Sequence, residues 1–514
     1  MKSSAELLSS DFATMSDLIR AYASERPEHP AVIDAGRTTT FGELDALVNR
    51  AASAMQRDGI ANHGTVAICA VASTEYLIAF IAALRIGAAA CPLAPSSTAD
   101  QLAAMIIDCA ATLLFADDTI LTALNGATQK PSVRPICMNG DGEGSFWSWL
   151  APSGDVPAPV AIDPEQPFNI IYSSGTTGIP KGIVQPHRMR WGHVRRAEAL
   201  GYGPDTVTMV STPLYSNTTL VSLIPALVRG GTVVLMKKFD AREFLILSQR
   251  YRATHAMLVP VQYRRLMDVS DFGTFDLSSY RMKTCTSAPF SAELKSDVLR
   301  RWPGGLVEIY GMTEGGGSCL LRAHDFPDKL HTVGQPASGH DIRIIGEDGK
   351  ELPAGQTGEI VGRSVSIMTG YHNQPAKTAE AEWFSPSGER FIRTGDIGRF
   401  DEDGFLVLGD RKKDMIITGG FNVFPSDLEA ELVTHPAVSE AAVVGIPSRE
   451  WGETPAAFVV LRPGFDVEAE ELRSWLNGRV GKTQRCSFLR IVSALPRSTI
   501  GKVLKRQLRE TLSS

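Results

Sequence analysis

Between about residues 40 and 310 the chain alternates helical and strand patterns, and this alternation limits the possible folds more than any other feature. Phe41, Leu44, Leu47, Val48, Ala51 and Met55 fall on one face of a helical period, and Gly59 ends that helix. Residues 65–71 then read as a buried strand, and Tyr76, Leu77, Phe80, Ile81 and Leu84 mark the next helix. Residues 112–115, 232–236, 255–259, 282–285 and 307–310 are further short apolar strands. A strand that is apolar on both sides must be covered on both sides. The fold class is therefore α/β, with a large N-terminal domain of parallel sheets carrying helices on both faces.

The pattern changes after residue 335. Residues 340–345 and 359–362 flank the turn Glu347-Asp348-Gly349, and residues 391–400 and 405–408 flank Asp401-Glu402-Asp403-Gly404. These are hairpin signals, so an antiparallel β subdomain is expected here. The charged run Asp410-Arg411-Lys412-Lys413-Asp414 reads as a linker. Beyond it, helices near 425–434 and 469–480 and strands near 441–445 and 456–461 make a small α+β domain. The expected division is an N-terminal domain at 1–409, a hinge at 410–413 and a C-terminal domain at 414–514.

A chain of 514 residues can bury its core without disulfides, and its 43% hydrophobic and 21% charged content is that of a globular protein. The net charge of −6 lacks the basic excess of a nucleic-acid-binding surface. The seven cysteines include no CxxC pair, so neither a zinc site nor a disulfide framework is indicated, and buried thiols in a reducing compartment are expected. The first twenty residues lack the apolar core of a secretory signal, and Thr511-Leu512-Ser513-Ser514 is not a peroxisomal address. The longest apolar stretch, residues 76–93, contains Arg85 and Gly87 and reads as a core helix running into a buried strand rather than a membrane span. Cytoplasm is the expected location, and the chain is expected as a monomer or homodimer.

The strongest local signal is Tyr172-Ser173-Ser174-Gly175-Thr176-Thr177-Gly178-Ile179-Pro180-Lys181-Gly182, which follows an apolar strand. Its glycines let backbone approach a ligand closely, its hydroxyls and amides can cradle phosphate oxygens, and Lys181 adds a positive charge. The spacing differs from that of a P-loop NTPase, so kinase or GTPase chemistry is not implied. Further along come Ser287-Ala288-Pro289, Tyr310-Gly311-Met312-Thr313-Glu314, Arg393-Thr394-Gly395-Asp396, Asp410-Arg411-Lys412-Lys413-Asp414, Gly419-Gly420, and Arg497-Ser498-Thr499-Ile500-Gly501-Lys502. Taken singly, each could be an ordinary turn or a solvated charge run.

Together, in this order and over nearly the whole chain, these motifs resemble those of the acyl-adenylate-forming superfamily, in its acid:CoA ligase branch. The resemblance implies an ATP-dependent, AMP-forming enzyme that uses Mg2+ and coenzyme A on a small-molecule carboxylic acid. It implies that Ser173, Ser174, Gly175, Thr176, Thr177, Gly178 and Lys181 hold phosphates. Ser287, Ala288, Pro289, Tyr310, Gly311 and Met312 would surround the adenylate, with a serine at 287 where glycine is more usual. Thr313 would contact the α-phosphate and Glu314 would hold the magnesium, a hard cation that prefers carboxylate oxygen. Asp396 and Arg411 would bind the ribose. Lys413 would be the hinge of a mobile C-terminal domain, Gly419 and Gly420 would line the CoA tunnel, and Lys502 would act in adenylation.

The acid pocket is the least constrained part. By resemblance it involves Tyr215, Ser216, Thr218, Ser222 and Gly315. Ser216 stands where the family often has histidine, so a gating role does not carry over. The small side chains, with Gly315, Gly316 and Gly317, suggest a roomy pocket, and no Asp in this region could pair with an α-ammonium group. A hydrophobic fatty, aryl or phenylpropanoid acid is the expected substrate. Two other readings are a stand-alone amino-acid adenylation enzyme loading a carrier protein, and a nucleotide-binding regulator without turnover.

Overall fold

The structure is a computed structural model and describes residues 2–173, 181–411, 414–418, 421–449, 451–498 and 501–513. The chain falls into two units, Met1–Leu330 with Pro336–Asp341 and Gly362–Ile392, and His331–Gln335 with Ile342–Val361 and Arg393–Ser514. The division falls inside the antiparallel region, because the strand Arg390–Phe400 begins in the first unit and ends in the second. The strand Leu406–Arg411 carries through the first two residues of the charged run, so these belong to a ladder rather than to a linker. Lys413, with Lys412, lies outside the described residues.

Two sheets of the first unit use, in chain order, the strands Pro30–Asp34 (β1), Arg37–Thr40 (β2), Thr65–Cys69 (β3), Ala89–Pro92 (β4), Leu113–Ala116 (β5), Arg134–Cys137 (β6) and Pro167–Ser173 (β7). They continue with Lys181–Pro186 (β8), Val207–Val210 (β9), Thr232–Leu235 (β10), His255–Leu258 (β11), Met282–Cys285 (β12), Gly305–Tyr310 (β13), Cys319–Arg322 (β14) and Gly370–Tyr371 (β15). One sheet contains the run β14-β13-β12-β11-β9-β10-β1-β2, parallel from β13 through to β1, with β14 and β2 antiparallel to their neighbours. The second runs β15-β8-β7-β4-β3-β5-β6, parallel from β7 to β6, with β8 and β15 antiparallel at its edge.

Strand β3 shows why its sequence is apolar throughout. Val66 and Ile68 enter one core with Phe41, Val48, Leu77 and Phe80, while Ala67 and Cys69 enter another with Leu102, Ile106 and Leu124. Alternate side chains thus bury on opposite faces, and each face is covered by helices. Each large side chain so buried contributes about 1.5–3 kcal/mol of transfer free energy. The covering helices are delimited locally. Thr40 and Glu43 form a reciprocal cap at the start of Phe41–Arg57, and Ser73 caps Thr74–Arg85. The stretch at 76–93 is, as expected, a buried helix followed by β4.

The second unit contains the C-terminal α+β region. Val438–Ser448 and Gly452–Leu461 pair along their lengths, and Phe488–Ile491 adds parallel to the latter. Val443, Ala457 and Val459 pack with Leu428 and Leu432 of helix Pro425–Val433 and with Leu472 and Leu476 of helix Ala469–Asn477. Ala442, Val444 and Phe458 point the other way and meet Leu508 of helix Lys505–Ser513. The seven cysteines are free. Among the described residues no helix is long and apolar enough to cross a membrane.

Candidate active site

In parallel sheets the carboxyl ends of the strands are where loops can converge on a ligand. Three expected segments leave the first sheet at that edge. Residues 211–219 follow β9, residues 286–289 follow β12 and residues 311–316 follow β13. The hydroxyl of Thr286 donates to the carbonyl of Ile309 at 2.7 Å, tying the second segment to the third.

Ser287 has φ +82°, the left-handed region in which a Cβ is strained and glycine is favoured. A glycine would take this conformation without that strain. Here the serine side chain has a partner, the hydroxyl of Thr218 at 2.5 Å, which links the β12 loop to the helix Asn217–Val228. Ala288 is half-buried and Pro289 exposed beside it.

Of the acid-pocket residues, Ser216 and Thr218 are buried at the start of that helix and Tyr215 is half-buried just before it. Ser222 lies deeper, 1% exposed, with its hydroxyl 2.9 Å from that of Tyr202. Gly315 has φ +77°, and a Cβ there would lie 2.1 Å from the carbonyl oxygen of Ser366. Gly316 has φ +82°, and a Cβ would lie 2.7 Å from the carbonyl oxygen of Gly362. These two glycines admit neighbouring backbone, so their lack of side chains does not translate into room for an acid.

The hairpin β7–β8 brackets the glycine- and hydroxyl-rich string, with Ser173 opposite Lys181. Ser174, Gly175, Thr176, Thr177 and Gly178 lie outside the described residues. The Lys181 ammonium stands 4.9 Å from the ring centroid of Tyr371. The Tyr371 hydroxyl donates to a carboxylate oxygen of Glu314 at 2.9 Å. Burial, and then the Glu314 charge and hydrogen bond, push the Tyr371 phenol far above its usual value, so it remains a donor. Two motifs more than a hundred residues apart are thereby joined through a third residue that the sequence reading did not single out. The backbone agrees, because the amide of Met368, just ahead of β15, donates to the carbonyl of Glu314 at 2.8 Å. Met312 packs on Ile183, Ile367 and Met368, and Gly311 sits where a Cβ would come 2.9 Å from the Ser318 hydroxyl. Tyr310 closes β13 opposite Cys319.

A second residue missed by the sequence reading is Gln185 on β8. Its amide nitrogen donates to the carbonyl of Thr313 at 2.6 Å. The available signal was an isolated amide within an apolar strand, matched by Asn169 directly across the hairpin.

In the second unit Asp396 and Arg411 are cross-strand partners in the ladder between Arg390–Phe400 and Leu406–Arg411. Register therefore sets the backbones of these two expected ribose-site residues side by side. Arg393 bonds Glu359 at 2.8 Å and Thr394 donates to the carbonyl of Ile360 at 2.9 Å, fixing the strand just before Asp396. Lys502 is exposed. It ends a turn in which the Ser498 amide donates to the Lys502 carbonyl at 2.8 Å and the Lys502 amide donates to the Ser498 hydroxyl at 3.1 Å. Gly501, φ +80°, supplies the left-handed residue this turn needs. Gly419 and Gly420 lie outside the described residues.

The family model described as AMP-binding enzyme matches residues 19–372, and that of the AMP-binding enzyme C-terminal domain matches 427–502. The chain is 32% identical to 4-coumarate–CoA ligase 5 of Oryza sativa subsp. japonica, over 98% of this chain and 95% of that protein. It is 31% identical to the fatty acid–[acyl-carrier-protein] ligase ScoC of Streptomyces coeruleorubidus, over 95% of this chain and 94% of that protein. Among solved structures, ATP-bound MatB from Rhodopseudomonas palustris superposes with a TM-score of 0.87 at 29% identity, covering 98% of this chain and 99% of that one.

Proposed function

Because the chain belongs to the AMP-binding enzyme family, we propose that it is an AMP-forming acid:CoA ligase acting on a hydrophobic fatty, aryl or phenylpropanoid acid. The observation that carries this reading is the contact series Lys181–Tyr371–Glu314, which joins a phosphate-directed cation to a metal-directed carboxylate. Of the two relatives named above, one is a CoA ligase of 4-coumarate and the other joins a fatty acid to an acyl-carrier protein.

A free carboxylate is a poor acyl donor because its leaving group would be oxide. In the first half-reaction a carboxylate oxygen of the acid bonds to the α-phosphorus of ATP while the bond to pyrophosphate breaks. In the second, the thiolate of CoA attacks the acyl carbon and AMP departs. No covalent bond to the protein is required. The protein aligns two anions and neutralises charge growing on the phosphoryl oxygens. Lys181, the backbone around 173–178 and Thr313 serve the phosphates, Asp396 and Arg411 the ribose, and Lys502 the α-phosphate and carboxylate in adenylation.

Magnesium fits this donor set. Among the described residues no group of three or more His, Cys, Asp or Glu could cage a metal, whereas Mg2+ is commonly held by one or two carboxylates with substrate phosphates. Glu314 supplies such a carboxylate, with one oxygen occupied by Tyr371. When bound, the ion would offset phosphate charge.

By the resemblance, Gly419 and Gly420 would serve the CoA path in the second half-reaction, and Lys413 would be the hinge about which the C-terminal domain turns between the two steps. The test is AMP formation from ATP and Mg2+ with a panel of 4-coumarate, ferulate, indoleacetate, straight-chain fatty acids and amino acids, with CoA or a phosphopantetheinyl carrier protein as acceptor. Acid- and CoA-dependent AMP release from an aryl or fatty acid is expected. Release only with amino acids, or only with the carrier, would move the assignment to an adenylation enzyme. ATP binding without turnover would make the protein a regulator.

A further inference from the structure

The hairpin β7–β8 belongs to one sheet and β13, whose loop carries Thr313 and Glu314, belongs to the other. Phosphoryl transfer needs the two loops in fixed register, so something must bridge the sheets. Between them lies a cluster of three buried polar side chains, Asn169 on β7, Gln185 on β8 and Arg190 on the helix His187–Arg196. All three are at most 2% exposed.

The hydrogen bonding of this cluster leaves no choice in the orientation of its amides. Arg190 has only donors. It donates twice to the side-chain oxygen of Asn169, at 3.0 and 2.9 Å, and once to the side-chain oxygen of Gln185. The Asn169 amide nitrogen then faces the same Gln185 oxygen at 2.9 Å. With its oxygen committed to two donors, Gln185 must turn its nitrogen outward. That nitrogen donates to the Thr313 carbonyl at 2.6 Å and lies 3.4 Å from the side-chain oxygen of Asn217, which begins the helix after Tyr215 and Ser216.

We propose that Gln185, oriented by Arg190 and Asn169, is a positioning residue that sets the Thr313–Glu314 loop against both the phosphate-loop hairpin and the helix of the acid pocket. The proposal rests on the adenylation reading above. A buried guanidinium without a counter-ion is expensive to keep. Burial lowers Arg190 to about 9, and among the described residues no acidic group offsets that shift. A core needing only stability would be better served by apolar residues here. What the trio supplies is an amide donor of fixed direction, aimed at the backbone between two reacting groups.

The same geometry gives a test in which stability and activity part company. In Gln185→Glu one carboxylate oxygen still accepts from Arg190 and Asn169 and gives the guanidinium a counter-charge. The other oxygen meets the Thr313 carbonyl and repels it. The variant should therefore melt at or above the wild-type temperature, while kcat for acid-dependent pyrophosphate exchange falls by about a hundredfold, as for a displacement of about 1 Å at a reacting centre. The KM for ATP should change by less than about threefold, since the interactions lost are made in the transition state. A structural role alone would make activity follow the melting temperature. Gln185→Glu that folds and keeps wild-type kcat per folded molecule overturns the proposal. Should that variant fail to fold, Gln185→Met removes the donor without adding charge. It is expected to lose a similar factor in kcat, and full activity in it overturns the proposal equally. Wild-type protein inactive with every acid of the panel would instead remove the functional reading on which the inference stands.

Discussion

Thr313 and Lys502 are proposed to serve one reaction, yet the molecule supports them in opposite ways. The carbonyl of Thr313 is held by a buried amide that is itself held by a buried arginine, so its position is set by several interlocking hydrogen bonds. Lys502 is itself exposed, its backbone is tied to Ser498 by two hydrogen bonds, and its charge is carried on a flexible stem. The contrast teaches that geometry and charge are separable contributions. A group that must keep its place among phosphates is built into the core. A group that must only bring a cation can be placed on the surface, where changing it costs the fold little.

The largest effect that could break this comparison is at Lys502. Lys502→Ala should lower acid-dependent pyrophosphate exchange by about 10²–10³-fold, the usual loss when one stabilising group is removed from such a centre. Thioester formation from supplied acyl-adenylate and CoA should be unchanged, and so should the melting temperature. Equal loss in both half-reactions would show that Lys502 is not specific to adenylation.

Next in size is the response of the first unit to acid. His187 and His255 are 3% and 1% exposed, and burial lowers each imidazole to about 4. Below pH 6.5 the unfolded chain therefore binds protons that the folded protein does not. The stabilisation is complete above pH 6.5 and is lost as pH falls toward 4, at roughly 1.4 kcal/mol per pH unit for each imidazole. The His187 ring packs edge-on against Phe168 with centroids 5.0 Å apart, so Phe is a reasonable replacement. Denaturant unfolding of His187→Phe between pH 4 and 7 should show a shallower slope than wild type. Identical slopes would mean that His187 is not held neutral.

A smaller effect is expected at Lys283, which inverts Lys502. Its ammonium is fully buried and donates to the carbonyls of Trp302, Pro303 and Gly304 at 3.1, 2.6 and 2.7 Å. Lys283→Met leaves those acceptors without this donor and should cost about 1–3 kcal/mol of stability, with kcat per folded molecule unchanged. A large drop in kcat at full stability would erase the distinction drawn between the two lysines.

What the sequence made legible follows from the range of the signals. Strands such as β3 and β13 and the helix Phe41–Arg57 declare themselves through local periodicity and capping. The antiparallel turns at 347–349 and 401–404 do so through turn chemistry. The expected strands near 441–445 and 456–461 are both present but longer, because pairing from Val438 to Leu461 extends each past its apolar centre. The charged run at 410–414 read as linker because charge is a local property, whereas the ladder that takes in Arg411 is formed with Asp396, fifteen residues earlier. Gly315 and Gly316 suggested space because a missing side chain is visible in sequence and an approaching backbone is not. Gln185 and Tyr371 were missed for the same reason. Each acts through a partner more than fifty residues away, Thr313 and Glu314 respectively.

Tyr371 gives the smallest and most selective test. Its ring supports Lys181 from one side while its hydroxyl reaches Glu314 on the other, so the two contacts can be separated by a single atom. Tyr371→Phe keeps the aromatic face and removes the hydrogen bond to a charged group, a loss of about 1.5–3 kcal/mol at most for such a bond and less where water replaces it. The Glu314 carboxylate would then be free to rotate. The expected result is a rise in the Mg2+ concentration needed for half-maximal exchange, with kcat at saturating Mg2+ reduced by about tenfold or less. Tyr371→Leu removes both contacts and should also weaken ATP binding, because Lys181 loses the cation–π support worth about 0.5–1 kcal/mol. If the Phe and Leu variants behave alike, the ring contributes nothing to Lys181, and the nucleotide site is held by the Gln185 side of the loop alone.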